Sequence, residues 1–238
     1  MSWNPLRIAW GFWVWLLPVP LVLVAALPIL ALPSLAQRRA CARMVCRTFF
    51  LLAGLPVRTS GIERLPAGAC IIVANHASYV DGPLLFACLP PRFGFVIKKE
   101  ASQLPLVGLL LHRLGHHFVE RRNRHQGASD ARRILRAVEQ GHAIAFFPEG
   151  TFSDAAGLAR FHSGAFAAAA RAGVPIAPVV IRGSRRVLRS KTVLPRWGRI
   201  EVEVLEQLAP SAGAGDTAAA LRDLARARIA AALDEPLL

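Results

Sequence analysis

Cys70-Ile71-Ile72-Val73-Ala74-Asn75-His76-Ala77-Ser78-Tyr79-Val80-Asp81-Gly82-Pro83 is the stretch on which the reading of this chain turns. Its apolar, β-branched start predicts a strand buried on both faces, ending in the polar pair Asn75-His76. Asp81-Gly82-Pro83 then opens a helix. In an α/β sheet the carboxyl edge of such a strand is where sites are built. If the turn folds back, Asp81 meets the imidazole of His76 and orients it, an arrangement that makes a general base. Spacing alone does not carry that conclusion, because His125 and Asp130 stand at the same separation. That second pair follows the charged run Arg121-Arg122-Asn123-Arg124 with no buried strand before it, and predicts a solvated loop entering a helix.

On either side of this stretch short apolar runs alternate with helical patterns. Strands are expected at residues 69–74, 93–97, 117–120, 143–147, 176–181 and 199–205. Helices are expected at 84–88, 106–113, 128–140, 164–172 and 217–233, the last capped by Asp216. Alternation of this kind predicts an α/β fold, a mostly parallel sheet flanked by helices. No GxGxxG and no Walker A loop supports a nucleotide site.

Residues 8–36 carry no charge. A bilayer core needs about 20 apolar helical residues, so the run is long enough to cross one. Trp3, Trp10, Trp13 and Trp15 gather at its start as interfacial aromatics do. Pro18, Pro20, Pro28 and Pro33 disfavour one straight helix. A basic segment with Arg38, Arg39, Arg43 and Arg47 follows, then a second apolar stretch at 48–57. Residues 1–57 are therefore expected to be a helical membrane anchor, either one kinked span or a two-helix hairpin, with the arginines on the cytoplasmic side. Residues 58–238 form the α/β domain. A cleaved signal peptide fits less well: the run is too long and arginines follow the candidate cleavage site Ser34-Leu35-Ala36.

Composition agrees. Of 238 residues 54% are hydrophobic and 18% charged, which excludes a disordered chain and is unusual for a soluble domain. Lys and Arg number 29 against 15 Asp and Glu, a net charge of +14 that seeks anions such as lipid headgroups or phosphorylated substrates. A nucleic-acid partner has no recognition motif behind it. Lys98, Lys99 and Lys191 are the only lysines, so the adjacent pair stands out. Cys41, Cys46, Cys70 and Cys88 have no zinc-ligand spacing and are expected to be reduced thiols. No metal site is expected.

Four blocks in order resemble the glycerolipid acyltransferase family, the lysophosphatidic acid acyltransferases and their relatives. Asn75, His76 and Asp81 match its Asn-His-four residues-Asp block, and Ile97-Lys98-Lys99-Glu100 its second. Phe147-Pro148-Glu149-Gly150-Thr151 matches the third, Val174-Pro175-Ile176-Ala177-Pro178-Val179 the fourth. The resemblance implies acyl transfer from acyl-CoA or acyl-carrier protein, as co-substrate and without a cofactor, to the free hydroxyl of a lysolipid. The first acceptor to consider is 1-acylglycerol-3-phosphate, in phospholipid biosynthesis. His76 would be the base and Asp81 its orienter. Asn75, Lys98, Lys99, Arg121, Glu149, Gly150 and Thr151 would contact substrate, with backbone N–H groups near Glu149–Thr151 facing the oxyanion. The expected setting is a bacterial inner membrane, catalytic domain on the cytoplasmic face. Two departures stand out. Phe152 follows Thr151 where many relatives carry Arg, and Phe161-His162-Ser163-Gly164-Ala165 replaces a basic block. Both remove charge where a phosphomonoester would sit, so a lyso-ornithine lipid or another lysolipid stays open as acceptor. A non-catalytic membrane scaffold is the remaining alternative.

Overall fold

The run Ile71-Ile72-Val73-Ala74 forms the central strand because it has an apolar side chain for each face of a covered sheet. The structure, a computed structural model, describes residues 5–120, 124–152, 155–209, 218–233 and 235–238, without the side chains of 124–128. Seven strands are described: β1 (Val57–Ser60), β2 (Ile71–Ala74), β3 (Phe93–Lys98), β4 (His117–Val119), β5 (Ala143–Phe146), β6 (Ile176–Arg182) and β7 (Ile200–Val204). Their order is β1-β7-β6-β2-β5-β3-β4, parallel throughout except where β6 meets β7. The mostly parallel α/β sheet is as expected from sequence. β1 was not expected: Val57 was assigned to the anchor, and no strand was read in the polar residues Arg58–Ser60 that follow it.

Side-chain alternation divides the core in two. Ile72, Ala74, Ala145, Ala177 and Val179 face one layer, Ile71, Val73, Ile144, Ile176 and Val180 the other. The second layer is α6 (Arg124–Glu139), α7 (Gly164–Ala172) and α9 (Ala218–Ala232), which supply Ile134, Phe166 and Ile229. The first layer is α1 (Pro5–Leu16), α2 (Pro18–Ala31), α3 (Leu35–Leu52), α4 (Asp81–Cys88) and α5 (Val107–Arg113). The short α8 (Ser184–Val187) follows β6. The cap expected at Asp216, and Trp3, lie outside the described residues.

The N-terminal helices share the core of the sheet: Val14 and Leu17 pack with Phe50, Leu85 and Val202 in one cluster. Leu17 keeps helical dihedrals between α1 and α2, so 5–31 follow one kinked path, bent where Pro18 and Pro20 lack N–H groups. The path stops at Leu32, extended before Pro33, and α3 returns against α2. α2 and α3 thus form a helical hairpin packed against the sheet. The basic segment lies within α3, which also takes in the first residues of the apolar stretch 48–57. Arg39, buried, binds the carbonyls of Leu114, Arg92 and Gly115 at 2.9, 2.7 and 3.1 Å, and Arg38 binds those of Leu32 in the turn and Arg113 of α5. These two arginines fasten the hairpin to the domain, because carbonyls at helix and strand ends need donors. The stretch 48–57 divides between the end of α3 and the start of β1, broken at Gly54 with φ +64°.

Candidate active site

β2 ends at Ala74 on the carboxyl edge, and its next two residues are fixed from opposite directions. The Asn75 side chain exchanges two hydrogen bonds with the backbone of Ile181 on β6, accepting from its N–H at 2.7 Å and donating to its C=O at 2.9 Å. Asn75 is buried, and one donor and one acceptor of its amide are engaged by the neighbouring strand, which fixes its position beside His76. The His76 N–H donates to Glu149 Oε1 at 2.6 Å, and the Ala159 N–H donates to Glu149 Oε2 at 2.9 Å. Glu149 is buried, and burial pushes its carboxyl above the usual range against the pull of those two bonds. It ties the third block to the first through backbone. Gly150, at φ +77°, makes the turn possible, and a Cβ there would press on the His162 ring at 3.0 Å.

Residues 77–80 loop back so that Asp81 enters α4 beneath the imidazole. Asp81 is fully buried. Its Oδ2 accepts from the N–H groups of Ala77 and Ser78 at 2.7 and 2.8 Å and faces His76 Nδ1 at 2.9 Å. A carboxylate only accepts, so Nδ1 carries the proton and Nε2 is left as the basic nitrogen. Phe147 stacks on the imidazole at 4.1 Å, and Phe152 meets it edge-on at 4.5 Å and Tyr79 at 4.8 Å. The ring is held on two sides and opens on a third.

It opens into a cavity of about 450 Å³ whose wall is almost wholly apolar. Val22 and Ile29 come from α2, Val45 and Cys46 from α3, Phe86 from α4, Leu110 from α5 and Leu114 from just after it. Lys98 and Thr151 stand on the same cavity. Burial pushes the Cys46 thiol up to about 12, which leaves it no thiolate to act as a nucleophile near neutral pH.

The structure parts the two lysines. Lys98 shares the His76 cavity, whereas Lys99 lines a separate cleft with His112, His117 and Arg133. The Gly150 N–H is bonded to Phe147 C=O at 3.0 Å, so it does not face an oxyanion. Thr151 remains exposed on the rim with no partner among the described residues. Arg121, Ser153 and Asp154 lie outside the described residues. His116 is buried between Phe86 and Phe95, accepts the Phe95 N–H on Nδ1, and is held down to about 3 by burial. Among the described residues no group of His, Cys, Asp and Glu is arranged to hold a metal.

Sequence reasoning missed Tyr79, Phe147 and the helical residues of the cavity wall. Tyr79 had a signal: it is the chain's single tyrosine and falls inside the His-to-Asp loop.

Comparison with known proteins agrees with this geometry. Residues 56–182 match the family described as Acyltransferase. A 1-acyl-sn-glycerol-3-phosphate acyltransferase of Chlamydomonas reinhardtii is 30% identical over 233 residues, 95% of this chain and 69% of its own. The lyso-ornithine lipid O-acyltransferase of Pseudomonas aeruginosa is 37% identical over 137 residues, 55% of this chain and 50% of its own. The crystal structure of the 1-acyl-sn-glycerophosphate (LPA) acyltransferase PlsC from Thermotoga maritima shares the fold, with a TM-score of 0.82 over 95% of this chain and 94% of that one, at 18% identity. With a family model matching more than half its length and a relative at 30% identity covering 95% of it, the chain belongs to the acyltransferase family.

Proposed function

We propose that this protein transfers a fatty acyl group from a thioester, acyl-CoA or acyl-carrier protein, to the free hydroxyl of a lysolipid, with 1-acylglycerol-3-phosphate the first acceptor. The observation that carries the reading is the 2.9 Å His76–Asp81 contact at the mouth of an apolar cavity. The acyl chain occupies the cavity and leaves the thioester carbonyl beside the imidazole. His76 Nε2 removes the hydroxyl proton as the oxygen attacks that carbonyl. The tetrahedral intermediate collapses with cleavage of the C–S bond, and the thiolate takes the proton back from the imidazolium. Asp81 stabilises the cation meanwhile. A thiolate leaves readily, so the step calls for no metal or bound cofactor. Thr151 and Lys98 are the groups on this cavity suited to a developing oxyanion and an acceptor phosphate.

The anchor lies in the plane of the membrane in this reading. The path 5–31 has 27 residues, about 40 Å of helix. At one end Trp10 and Trp13 donate to the carbonyls of Ala53 and Leu52, both at 2.9 Å. At the other end Arg113 of α5 donates to Leu30 C=O at 2.6 Å. A helix with both ends bonded to one folded body on one side of a bilayer does not cross it. Leu16, Val19, Leu23 and Leu27 form its bare outer face, while Val14, Leu17, Ala25 and Ile29 are buried. That distribution suits an interfacial helix. A cytoplasmic-face, inner-membrane location follows from where CoA and carrier-protein thioesters are found, and accords with four free thiols.

One observation favours a second acceptor class. Phe152 places an uncharged ring against His76, where a phosphomonoester would need a cation. A lyso-ornithine lipid or a lysophosphodiester suits that wall. Thiol release from a fatty acyl-CoA by the purified full chain, measured across a lysolipid panel and beside His76→Ala, tests both readings. Acceptor-dependent release lost in the variant is the expected result. Release that continues in His76→Ala would refute the mechanism, and silence of a folded protein with every donor and acceptor would refute the transferase.

A further inference from the structure

We propose that residues 188–199, the connection from α8 to β7, form a second membrane-contacting element, continuous with α1, that recognises an anionic bilayer surface. The inference rests on the membrane reading of α1 and α2 and extends it to a segment far away in sequence.

The segment Leu188-Arg189-Ser190-Lys191-Thr192-Val193-Leu194-Pro195-Arg196-Trp197-Gly198-Arg199 contains four cations and no acidic residue. Arg189, Lys191, Arg196 and Arg199 are all exposed. Between them two apolar side chains stand bare, Val193 at 78% and Trp197 at 54% exposure. Such a pairing of bare apolar tips with surrounding cations suits a surface that is apolar below and anionic above.

Continuity with α1 is direct. Trp15 donates to Val193 C=O at 2.6 Å, and Trp197 packs on Trp10 with ring centroids 4.7 Å apart. Leu194 sits on Gly11, where a Cβ would come within 2.3 Å of its Cδ1, so the helix is smooth at the point where the segment docks. Phe12, Trp13 and Leu16 are exposed on the same helix. The turn that projects Val193 is shaped by Lys191 at φ +56° and by Thr192, whose N–H and hydroxyl both donate to Arg189 C=O. At its base the segment is bonded to the motif loop, Ser78 Oγ donating to Leu188 C=O at 2.5 Å. Of the neighbouring arginines, Arg182 pairs with Glu203 and Arg185 with Glu235.

Flotation of the purified full chain with phosphatidylcholine vesicles, and with vesicles containing about 30% phosphatidylglycerol, tests the inference. Anionic lipid should strengthen wild-type binding more than tenfold, and the gain should vanish in 0.5 M salt. R189Q/K191Q/R196Q should lose most of that gain and leave binding to neutral vesicles within twofold. R132Q/R136Q/R171Q, three exposed cations on the helices covering the other side of the sheet, should keep it. Val193→Ser should weaken binding severalfold on both vesicle types, and with its side chain so exposed it puts folding at little risk. Equal losses from the two triple variants, or unchanged binding of Val193→Ser, would overturn the proposal. A wild type that stays off neutral vesicles yet shows the segment-dependent gain on anionic ones would refute the α1–α2 anchor and support this element.

Discussion

Asp81 and Asp130 each follow a histidine by five residues, and the structure gives them unrelated work. Asp81 closes a loop: the chain leaves β2, turns through 77–80 and returns, so its carboxylate lies under His76 and also collects two backbone N–H groups. Asp130 lies inside the continuous helix α6, where residues five apart are rotated by about 140° and do not face each other. Its carboxylate accepts the Glu120 N–H at 2.8 Å and pairs with Arg133 at 3.0 Å, joining a helix to the end of β4. A His-to-Asp separation becomes an acid–base pair only where the intervening backbone can turn back. What sets that here is the strand end, held by Glu149 and Ile181, and not the two residues themselves.

The largest effects test the comparison head-on. His76→Ala should lower kcat in the thiol-release assay by about 10²–10⁴-fold, and Asp81→Asn should fall in the same range because the tautomer is no longer imposed. Asp130→Asn should leave kcat within about twofold and cost about 1 kcal/mol of stability by urea denaturation. A comparable loss of kcat in Asp130→Asn would break the distinction.

Glu149→Ala should come next. It strips the acceptor from two N–H groups at a buried position, so a loss of about 2–3 kcal/mol is expected with reduced kcat. Glu149→Gln keeps an acceptor for one of them and should recover part of both, which separates bracing from substrate contact.

A third measurement sharpens the contrast between His76, the proposed base, and a histidine buried in the core. His116 is held near 3 in the folded state against an ordinary value of 6.5, so above 6.5 it is neutral whether folded or not. As pH falls below 6.5 the unfolded chain takes up the proton first, and folded stability drops by about 1.4 kcal/mol per pH unit until about 3. His117, held near 4, adds to the slope in the same direction. Denaturation midpoints at pH 7.5 and 5.0 should differ accordingly, and His116→Asn, which keeps an acceptor for Phe95 N–H, should remove about half of the difference.

The smallest effect concerns the acceptor. Phe152→Arg should shift the preference between a phosphomonoester lysolipid and an uncharged or zwitterionic one by about tenfold towards the former, at similar kcat for the preferred acceptor. No shift would mean that Phe152 borders the acyl chain only.

Much of this was legible in the residues themselves. Ile71–Ala74 and Ile176–Arg182 declare buried strands because apolar side chains on both faces leave no other stable place for them. Asn75-His76 and Asp81 declare a turn that closes on itself, and the uncharged run from Ile8 to Ala31 declares an apolar helical path. Those are local statements, carried by periodicity and composition.

Partner choice was not legible, and it decided the site. Asn75 finds Ile181 across 106 residues and His76 finds Glu149 across 73, because the order β6-β2-β5 sets those chains side by side. Adjacent lysines were separated between two cavities by the chain's turn at the end of β3. The wall facing His76 came from α2 and α3, and the arginines of α3 became fastenings for carbonyls of distant segments. Periodicity encodes which face of an element is apolar and is silent about which neighbour will cover it. That assignment belongs to tertiary packing, which must find a partner for each buried polar group at the same time as it fills the core.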